Sequence, residues 1–274
     1  MSNTITSPAP TAGDPLSAAE RWGEIVRQLK ALEATEGITV LYACESGSRA
    51  WGFASADSDY DVRFIYVRPP EWYLSIRERK DTIERPLTNW VDLAGWDLIK
   101  ALRLFQKSNP PLMEWLFSPT VYVERGGTAA ALRRLADAHY SPTAAAYHYL
   151  HMARGNYRDY LQGETVRLKK YLYVLRPLLA VMWLEAGRGR MPVQFETLFR
   201  ELPLDKELRL EIYNKLILPK WRGGELGKGP ALPLVSRFIQ IELKRREESR
   251  FELGNADGPV DLLDELFREA IYEQ

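Results

Sequence analysis

Hydrophobic positions in the first 125 residues follow two alternating patterns. Residues 16–33 carry apolar side chains at helical spacing, which predicts an amphipathic helix. Short β-branched apolar runs follow and predict strands, with helical segments between them. The predicted strands are 38–44, 60–67, one or two within 81–92 with the last around 89–93, and an edge strand at 121–123; the predicted helical segments are a turn at 49–53, then 72–76, 96–105 and 113–117. This alternation predicts a mixed α/β sheet domain.

From residue 128 onward the strand pattern gives way to helical periodicity. The predicted helices are 128–138, 141–162, 166–186, 195–201, 206–216, 232–247 and 260–272, and the glycine-rich segment 219–229 is predicted to be a loop. Residues 1–15 are rich in small and polar side chains, so we expect a disordered tail there. The sequence therefore predicts an α+β protein: a tail (1–15), a sheet domain with flanking helices (16–125) and a helical domain (126–274).

Composition narrows the classes of function. The chain has 37 basic and 37 acidic side chains, which argues against a polycationic nucleic-acid coat but leaves room for a local basic groove. Cys44 is the single cysteine, so an internal disulfide and a cysteine-rich zinc site are excluded, and we expect a buried thiol. No apolar run approaches the ~20 residues of a membrane span. We expect a cytoplasmic protein without a membrane partner.

A glycine-serine turn and a pair of acids carry the candidate chemistry. Gly47-Ser48 follows a predicted buried strand and opens a helical turn, where unpaired backbone N–H groups suit phosphate oxygens. After ten intervening residues, Asp59 and Asp61 stand two apart at the start of a predicted strand, so their side chains share a face. Two such carboxylates repel each other unless a cation lies between them. Mg²⁺ suits the position because it takes hard oxygen ligands and substrate phosphates.

These residues resemble a known signature. Gly47-Ser48, the ten-residue gap and Asp59-Tyr60-Asp61-Val62 are similar to the motif of the DNA-polymerase-β nucleotidyltransferase superfamily. Residues 45–53 and 58–63 resemble one branch of it, the nucleotidyltransferases associated with RNA ligases and RNA repair. Further runs that resemble this branch are Gly95-Trp96-Asp97-Leu98, Asn109-Pro110, Glu114-Trp115-Leu116, Ser118-Pro119 and Lys169-Lys170-Tyr171-Leu172. The resemblance extends from about residue 41 to residue 176 and implies a polymerase-β-type sheet.

The resemblance implies transfer of a nucleotidyl group from an NTP such as ATP, with release of pyrophosphate. It also implies a third carboxylate on a neighbouring strand and two Mg²⁺ ions, ~3.5–4 Å apart in sites of this kind. Asp92 is favoured for the third position because it lies between Val91 and Leu93 and so repeats the interleaving of Asp59 and Asp61 with apolar residues. Asp81, in a charged stretch, and Asp97, in the first turn of a predicted helix, remain alternatives.

Basic and aromatic side chains are the remaining candidates for nucleotide binding. Arg63 lies on the same strand face as Asp61, where its guanidinium suits either a bound phosphate or charge balance with the aspartates. Arg49 follows the Gly47-Ser48 turn and is either a phosphate contact or an ordinary surface arginine. In related nucleotidyltransferases a helical domain supplies such groups to the triphosphate or base. The candidates here lie on the predicted helix 166–186, either facing nucleotide or forming a solvated face: Lys169, Lys170, Tyr173 and Arg176.

The leading hypothesis is a Mg²⁺-dependent nucleotidyltransferase with an RNA end as acceptor, in RNA repair. Three other acceptors remain open: a protein hydroxyl, a tRNA in a toxin–antitoxin setting, and a small molecule. A nucleotide-binding module without turnover is the alternative from another class. The retained acids argue against that module, because sensing needs no two-metal site. The sequence leaves the preferred NTP and the oligomeric state undetermined.

Overall fold

The computed structural model describes residues 16–56, 58–88, 90–223, 226–247, 250–254 and 258–272, without the side chains of 86–88. The predicted tail at 1–15 lies outside these residues, as do Asp57 and Asn89. Contacts divide the chain into two compact units. Among the described residues, the sheet unit comprises 16–50, 59–141 and 258–272, and the helical unit comprises the rest.

A five-stranded mixed sheet forms the centre of the sheet unit. Its strands are β1 (Thr39–Glu45), β2 (Tyr60–Val67), β3 (Thr82–Thr88), β4 (Val91–Asp97) and β5 (Val121–Glu124), in the spatial order β3-β4-β2-β1-β5. The β2–β4 pair is parallel, and the other three pairs are antiparallel. The α+β class and the mixed sheet predicted from the sequence are confirmed.

Helices cover both faces of this sheet. They are α1 (Ala18–Glu36), α2 (Gly47–Ala50), α3 (Pro70–Tyr73), α4 (Leu98–Gln106), α5 (Pro110–Leu116), α6 (Thr128–His139) and, at the end of the described chain, α13 (Val260–Tyr272). Alternate residues of β2 pack into two separate apolar clusters, because successive strand side chains point to opposite faces. Val62 and Phe64 pack with α1, while Ile65 and Val67 pack with α4, α5, α6 and α13. The buried thiol expected for Cys44 lies in the second cluster, and burial raises its pKa.

The units divide at residues 141 and 142, whereas the sequence places the domain boundary at 125 and 126. The difference arises because α6 buries Ala129, Leu132 and Ala136 in the core of the sheet unit. Helix α13 buries Leu263 and Leu266 in the same core. A helical pattern alone does not reveal which unit a helix packs against.

The helical unit consists mainly of α-helices. These are α7 (Pro142–Tyr160), α8 (Lys169–Glu185), α9 (Phe195–Glu201), α10 (Lys206–Ile212), α11 (Leu218–Trp221) and α12 (Pro233–Arg245), with a π-helical turn at Tyr213–Ile217. Two three-residue strands, β6 (Thr165–Arg167) and β7 (Lys228–Pro230), pair in antiparallel orientation. The predictions of helix from residue 166 and of loop throughout 219–229 were therefore wrong at these positions. Three-residue strands are too short to show an alternating pattern.

Two short helical segments also differ from their predictions, and the one expected at 72–76 lies at Pro70–Tyr73. The helical turn expected at 49–53 lies at Gly47–Ala50. Residues 51 and 52 form a turn instead, and residues 51–56 and 58 belong to the helical unit. No helix in the described part of the chain is both long and apolar enough to cross a bilayer.

The pairing of β2 with β4 depends on a glycine under an aromatic ring. Gly95 is the register partner of Phe64, and a Cβ at Gly95 would lie 2.1 Å from the Phe64 ring. We expect Gly95→Ala to lower the free energy of unfolding by about 1–3 kcal/mol or more, because the buried ring has little room to move. Urea unfolding followed by circular dichroism measures this effect.

Gly23→Ala is the matched control. Gly23 lies within α1, and a Cβ there would meet only Arg27 at an ordinary 3.6 Å. Alanine should stabilise this helix by up to about 1 kcal/mol. Equal stabilities for the two variants would contradict the proposed role of the Phe64–Gly95 contact.

Candidate active site

The turn after β1 and the start of β2 are joined by backbone and side-chain contacts. The backbone N–H of Ser46 donates to the carbonyl of Asp61 at 2.8 Å. Gly47 follows with φ of +57°, in the left-handed region that favours glycine. A Cβ at Gly47 would lie 2.0 Å from Oδ2 of Asp61. The Gly47-Ser48 turn therefore lies directly against the Asp61 carboxylate, and Ser48 is buried in α2.

Strand register brings Asp61 and Asp92 together. They are directly paired in the parallel β2–β4 ladder. Nη2 of Arg63 lies 3.1 Å from Oδ1 of Asp61 and 2.8 Å from Oδ2 of Asp92, so one guanidinium contacts both carboxylates. Nη1 of Arg63 also donates to the backbone carbonyl of Asp92 at 3.1 Å. All three side chains are partly exposed, which leaves the carboxylates accessible from solvent.

The donor set at this position fits Mg²⁺. Asp61 and Asp92 offer carboxylate oxygens from adjacent strands, and hard oxygen ligands are what this ion prefers. Among the described residues, no group of three acidic, histidine or cysteine side chains is close enough together to hold a metal ion. Mg²⁺ commonly completes its shell with water and substrate phosphates, so two side-by-side carboxylates are a reasonable protein contribution.

Asp59 lies one residue before β2 begins and is exposed. Its carbonyl accepts a hydrogen bond from Nε of Arg49 at 3.3 Å. The Arg49 guanidinium lies 3.8 Å from the centre of the Tyr60 ring, a cation–π distance. These contacts link Arg49 of α2 to the start of β2.

The two alternative acids lie at the other end of β4. Asp97 is the last residue of this strand and pairs in register with Tyr66, five positions beyond the Asp61–Asp92 pair. Its Oδ1 accepts from the backbone N–H of Ile99 at 2.9 Å, so Asp97 caps α4, and burial raises its carboxyl pKa. Asp81 forms an ion pair with Lys100 at 3.0 Å. The structure thus brings Asp92, and neither alternative, next to Asp61.

Glu45 is a buried acid beside the site, and its residue type alone does not mark it as functional. Its Oε1 accepts from the backbone N–H of Asp61 at 2.9 Å, and its Oε2 accepts from the hydroxyl of Tyr122. Glu45 is 2% exposed, and burial raises the pKa of its carboxyl to about 7. An acid that closes a buried apolar strand is itself a sequence signal, because a buried charge requires partners. Glu45 positions the backbone of Asp61.

The predicted nucleotide-binding residues of α8 belong to the helical unit. Lys169, Lys170 and Tyr173 line a cavity of about 490 Å³ together with Arg167 and Lys228. The Lys170 ammonium lies 4.8 Å from the centre of the Tyr173 ring. Burial, followed by the nearby charges of Lys169 and Arg167, lowers the pKa of Lys170. The cavity therefore gathers positive charge that a phosphate group would neutralise.

Arg176 does not line this cavity. It is 3% exposed, and its Nη2 donates to the carbonyl of Val193 at 2.9 Å. Its guanidinium lies 4.4 Å from the centre of the Trp51 ring, and Trp51 packs edge-on against Tyr173 at 5.7 Å. The backbone N–H of Phe195 donates to the carbonyl of Trp51 at 2.9 Å. Arg176 therefore contributes to the packing of residue 51 into the helical unit.

The Glu45 contacts lead to a prediction about stability. We expect Tyr122→Phe to lower the free energy of unfolding by about 1–3 kcal/mol at pH 8, because an ionised buried carboxylate loses a donor. Urea unfolding in EDTA measures it. Tyr272→Phe, at a tyrosine that is 71% exposed, is the control and should change stability by less than about 0.5 kcal/mol. Equal values for the two variants would contradict this account of Glu45.

The chain is similar to a known protein family and to individual known proteins. The family model described as the RNA repair pathway DNA polymerase beta family (RlaP) matches residues 23–269. The uncharacterized protein YcgL of Bacillus subtilis (strain 168) is 49% identical over 229 residues, which cover 84% of this chain and 88% of that protein. The crystal structure of a nucleotidyltransferase-like protein from Exiguobacterium sibiricum 255-15 matches at 14% identity and a TM-score of 0.32, over 81% of this chain and 75% of that one; this similarity is too weak to bear on the site.

The family match confirms the resemblance seen in the motifs. It extends that resemblance well beyond residue 176, where the sequence alone offered little. Since the model covers nearly the whole chain, the protein belongs to the RNA repair pathway DNA polymerase beta family and is a nucleotidyltransferase of the polymerase-β superfamily.

Proposed function

We propose that the enzyme transfers a nucleotidyl group from an NTP to a hydroxyl at an RNA end, with Mg²⁺ as the required ion. The observation that carries this proposal is the register that sets Asp61 beside Asp92, with the Gly47 turn packed against Asp61. Phosphate-binding backbone and carboxylate ligands are thereby adjacent, as transfer from a triphosphate requires. The description of the family as an RNA repair pathway supports RNA as the acceptor.

Asp61 and Asp92 would hold the metal, because they supply neighbouring carboxylates. Asp59, the exposed acid immediately before β2, is the further ligand that the sequence predicts, but it does not form a close group of three with Asp61 and Asp92. When bound, Mg²⁺ neutralises triphosphate charge and favours ionisation of the attacking hydroxyl, and two ions are usual for such transfers. Arg63 already contacts Asp61 and Asp92, so it reduces their mutual repulsion before substrate binds.

The turn and its flanking arginine would bind the triphosphate. Gly47 has no side chain to keep a phosphate from the backbone, and the Ser48 hydroxyl is a further donor. Arg49 donates a hydrogen bond to the backbone carbonyl of Asp59 and therefore lies beside it. Arg63, in contact with Asp61, is the second cation near the acids. Both arginines would offset phosphate charge.

On the helical unit, Lys169, Lys170 and Tyr173 are the side chains proposed to bind nucleotide. Their shared cavity combines two ammonium groups with an aromatic ring, which suits phosphates and a base. Arg176 was predicted to join them. Its burial against Trp51 and the Val193 carbonyl gives it a supporting role in this proposal, without direct contact to nucleotide.

The proposed reaction balances without a further reactant. The acceptor hydroxyl oxygen bonds to the α-phosphorus, and the bond from that phosphorus to the oxygen bridging to the β-phosphate breaks. Pyrophosphate leaves with the bonding electrons. An ionised carboxylate oxygen of the Asp61–Asp92 pair receives the hydroxyl proton and later releases it to water. The carboxylates fit this task because both are accessible to solvent.

Substitution of individual acids tests the proposal. We expect Asp61→Asn and Asp92→Asn each to lower the rate of label transfer from an α-labelled NTP to RNA by about 100-fold or more, because each removes a charged ligand. Asp81→Asn is the control. It removes a half-exposed acid near the opposite end of β4 and should leave the rate within about twofold.

Omitting Mg²⁺ should abolish transfer by the unmodified enzyme. Thermal unfolding of each variant shows whether the fold is retained. Wild-type rates in a folded Asp61→Asn or Asp92→Asn protein would disprove the proposed site. Efficient labelling of protein or small molecules in a fractionated lysate, with none of RNA, would disprove the acceptor.

A further inference from the structure

We propose that a second cavity of the helical unit binds a single strand of the acceptor RNA. This cavity, here called the ribbon cavity, is lined by Asp159, Tyr160, Thr165, Val166, Arg167 and Lys228 and measures about 380 Å³. The RNA assignment rests on the function proposed above. Tyr160, Arg167 and Lys228 carry the argument; the two cations also border the proposed nucleotide cavity, whereas Tyr160 does not line it.

The β6–β7 pair builds the ribbon cavity. Arg167 and Lys228 are register partners across the two strands, and both are exposed. They line the ribbon cavity and also the neighbouring cavity of Lys169, Lys170 and Tyr173. Two cavities therefore adjoin at a shared pair of cations. A transferase that joins a nucleotide to a strand needs two such neighbouring places for anionic substrates.

Charge in the ribbon cavity favours phosphate. Arg167 and Lys228 form no ion pair with any carboxylate in the described part of the chain. The acid that lines this cavity, Asp159, is paired with Arg158 at 2.8 Å. The two cations are therefore available to neutralise a ligand, and phosphodiesters are the anions that recur along a nucleic-acid strand.

Each of the adjoining cavities also has an aromatic ring. Tyr160 lines the ribbon cavity, and Tyr173 lines its neighbour. The Lys170 ammonium lies 4.1 Å from the centre of the Tyr160 ring and 4.8 Å from that of Tyr173, so it bridges the two. Alternating rings and cations are typical of surfaces that stack unpaired bases and hold the backbone between them.

The presence of an aromatic ring in each of two adjoining cavities favours an RNA strand over a single nucleotide as the ligand. A single NTP offers one base, for which the Tyr173 ring of the neighbouring cavity suffices. The ribbon cavity then supplies a second stacking surface and a second approach to the shared cations. The arrangement suits an RNA strand whose unpaired base lies on Tyr160, with its phosphates at Arg167 and Lys228.

Direct binding of RNA tests this inference without catalysis. Fluorescence anisotropy of a labelled single-stranded RNA of about ten nucleotides is measured in EDTA, without NTP, from about 50 to 200 mM salt. Single-stranded contacts contribute about 0.7 per phosphate to the slope of log K against log salt, so Arg167→Ala with Lys228→Ala should reduce it by about 1.4. Lys206→Ala, which removes an exposed cation from α10 of the same unit, should leave the slope unchanged.

The aromatic contact has its own matched pair. Tyr160→Ala should weaken RNA binding by about 5-fold to 100-fold, whereas Tyr160→Phe keeps the ring and should stay within about twofold. Both variants are first checked for native thermal unfolding. RNA binding that is the same in the Arg167→Ala/Lys228→Ala, Tyr160→Ala and Lys206→Ala proteins would overturn the inference. Loss of NTP binding in the first two, with RNA binding intact, would equally overturn it.

The same proteins separate this inference from the proposed function. Asp61→Asn should bind RNA normally while losing transfer, and the Tyr160→Ala protein should show a raised KM for RNA with kcat and the KM for NTP retained. RNA binding that depends on the ribbon cavity, in an enzyme that never labels RNA, would count against the proposed function alone. Label transfer that is indifferent to Arg167, Lys228 and Tyr160 would count against the ribbon cavity alone.

Discussion

The parallel pairing of β2 with β4 is the constraint on which the rest of the candidate site depends. A register in which Phe64 lies against Gly95 also sets Asp61 opposite Asp92, three positions earlier in both strands. A shift of one residue would turn one of the two acids to the other face of the sheet, since strand side chains alternate. The packing of the Phe64 ring on Gly95 thus determines where the Asp61 and Asp92 carboxylates meet at the start of the two strands. Gly95 maintains this register because a side chain has no room at that position.

At the start of β2 and β4, the negative charge of the acids is offset by the groups that lie next to them. Asp61 and Asp92 share the guanidinium of Arg63, while the buried carboxylate of Glu45 holds the backbone of Asp61 from behind. Burial raises the pKa of Glu45 to about 7, so near neutral pH this acid adds less negative charge than its residue type suggests. A metal ion would therefore meet two accessible carboxylates whose backbone is already held in place. Preorganisation of this kind reduces the reorganisation that ligand binding requires.

Much of the sheet unit follows from local sequence, and the remainder depends on contacts between distant residues. Tyr60–Val67 is a strand at the predicted bounds because its apolar side chains are continuous and prolines follow it. The interleaving of Asp92 with apolar neighbours predicted a strand acid, but only the register places it beside Asp61. Arg176 depends on such a distant contact: its helical spacing from Lys169 indicates a shared face, whereas packing against Trp51 buries it. Helical periodicity gives the direction of a side chain, and tertiary packing decides what meets it.

The zero net charge of the chain conceals a local separation of charge. Arg167, Lys169 and Lys170 are neighbours in sequence, but the pairing of β6 with β7 adds Lys228 from nearly sixty residues later. Three cations at the start of a helix would ordinarily indicate a solvated end, and a lysine among glycines would indicate a loop. Joined across two short strands and interleaved with Tyr160 and Tyr173, they form a surface suited to phosphates and bases. Composition averages over such a surface, so a balanced count of charges is weak grounds for excluding a nucleic-acid substrate.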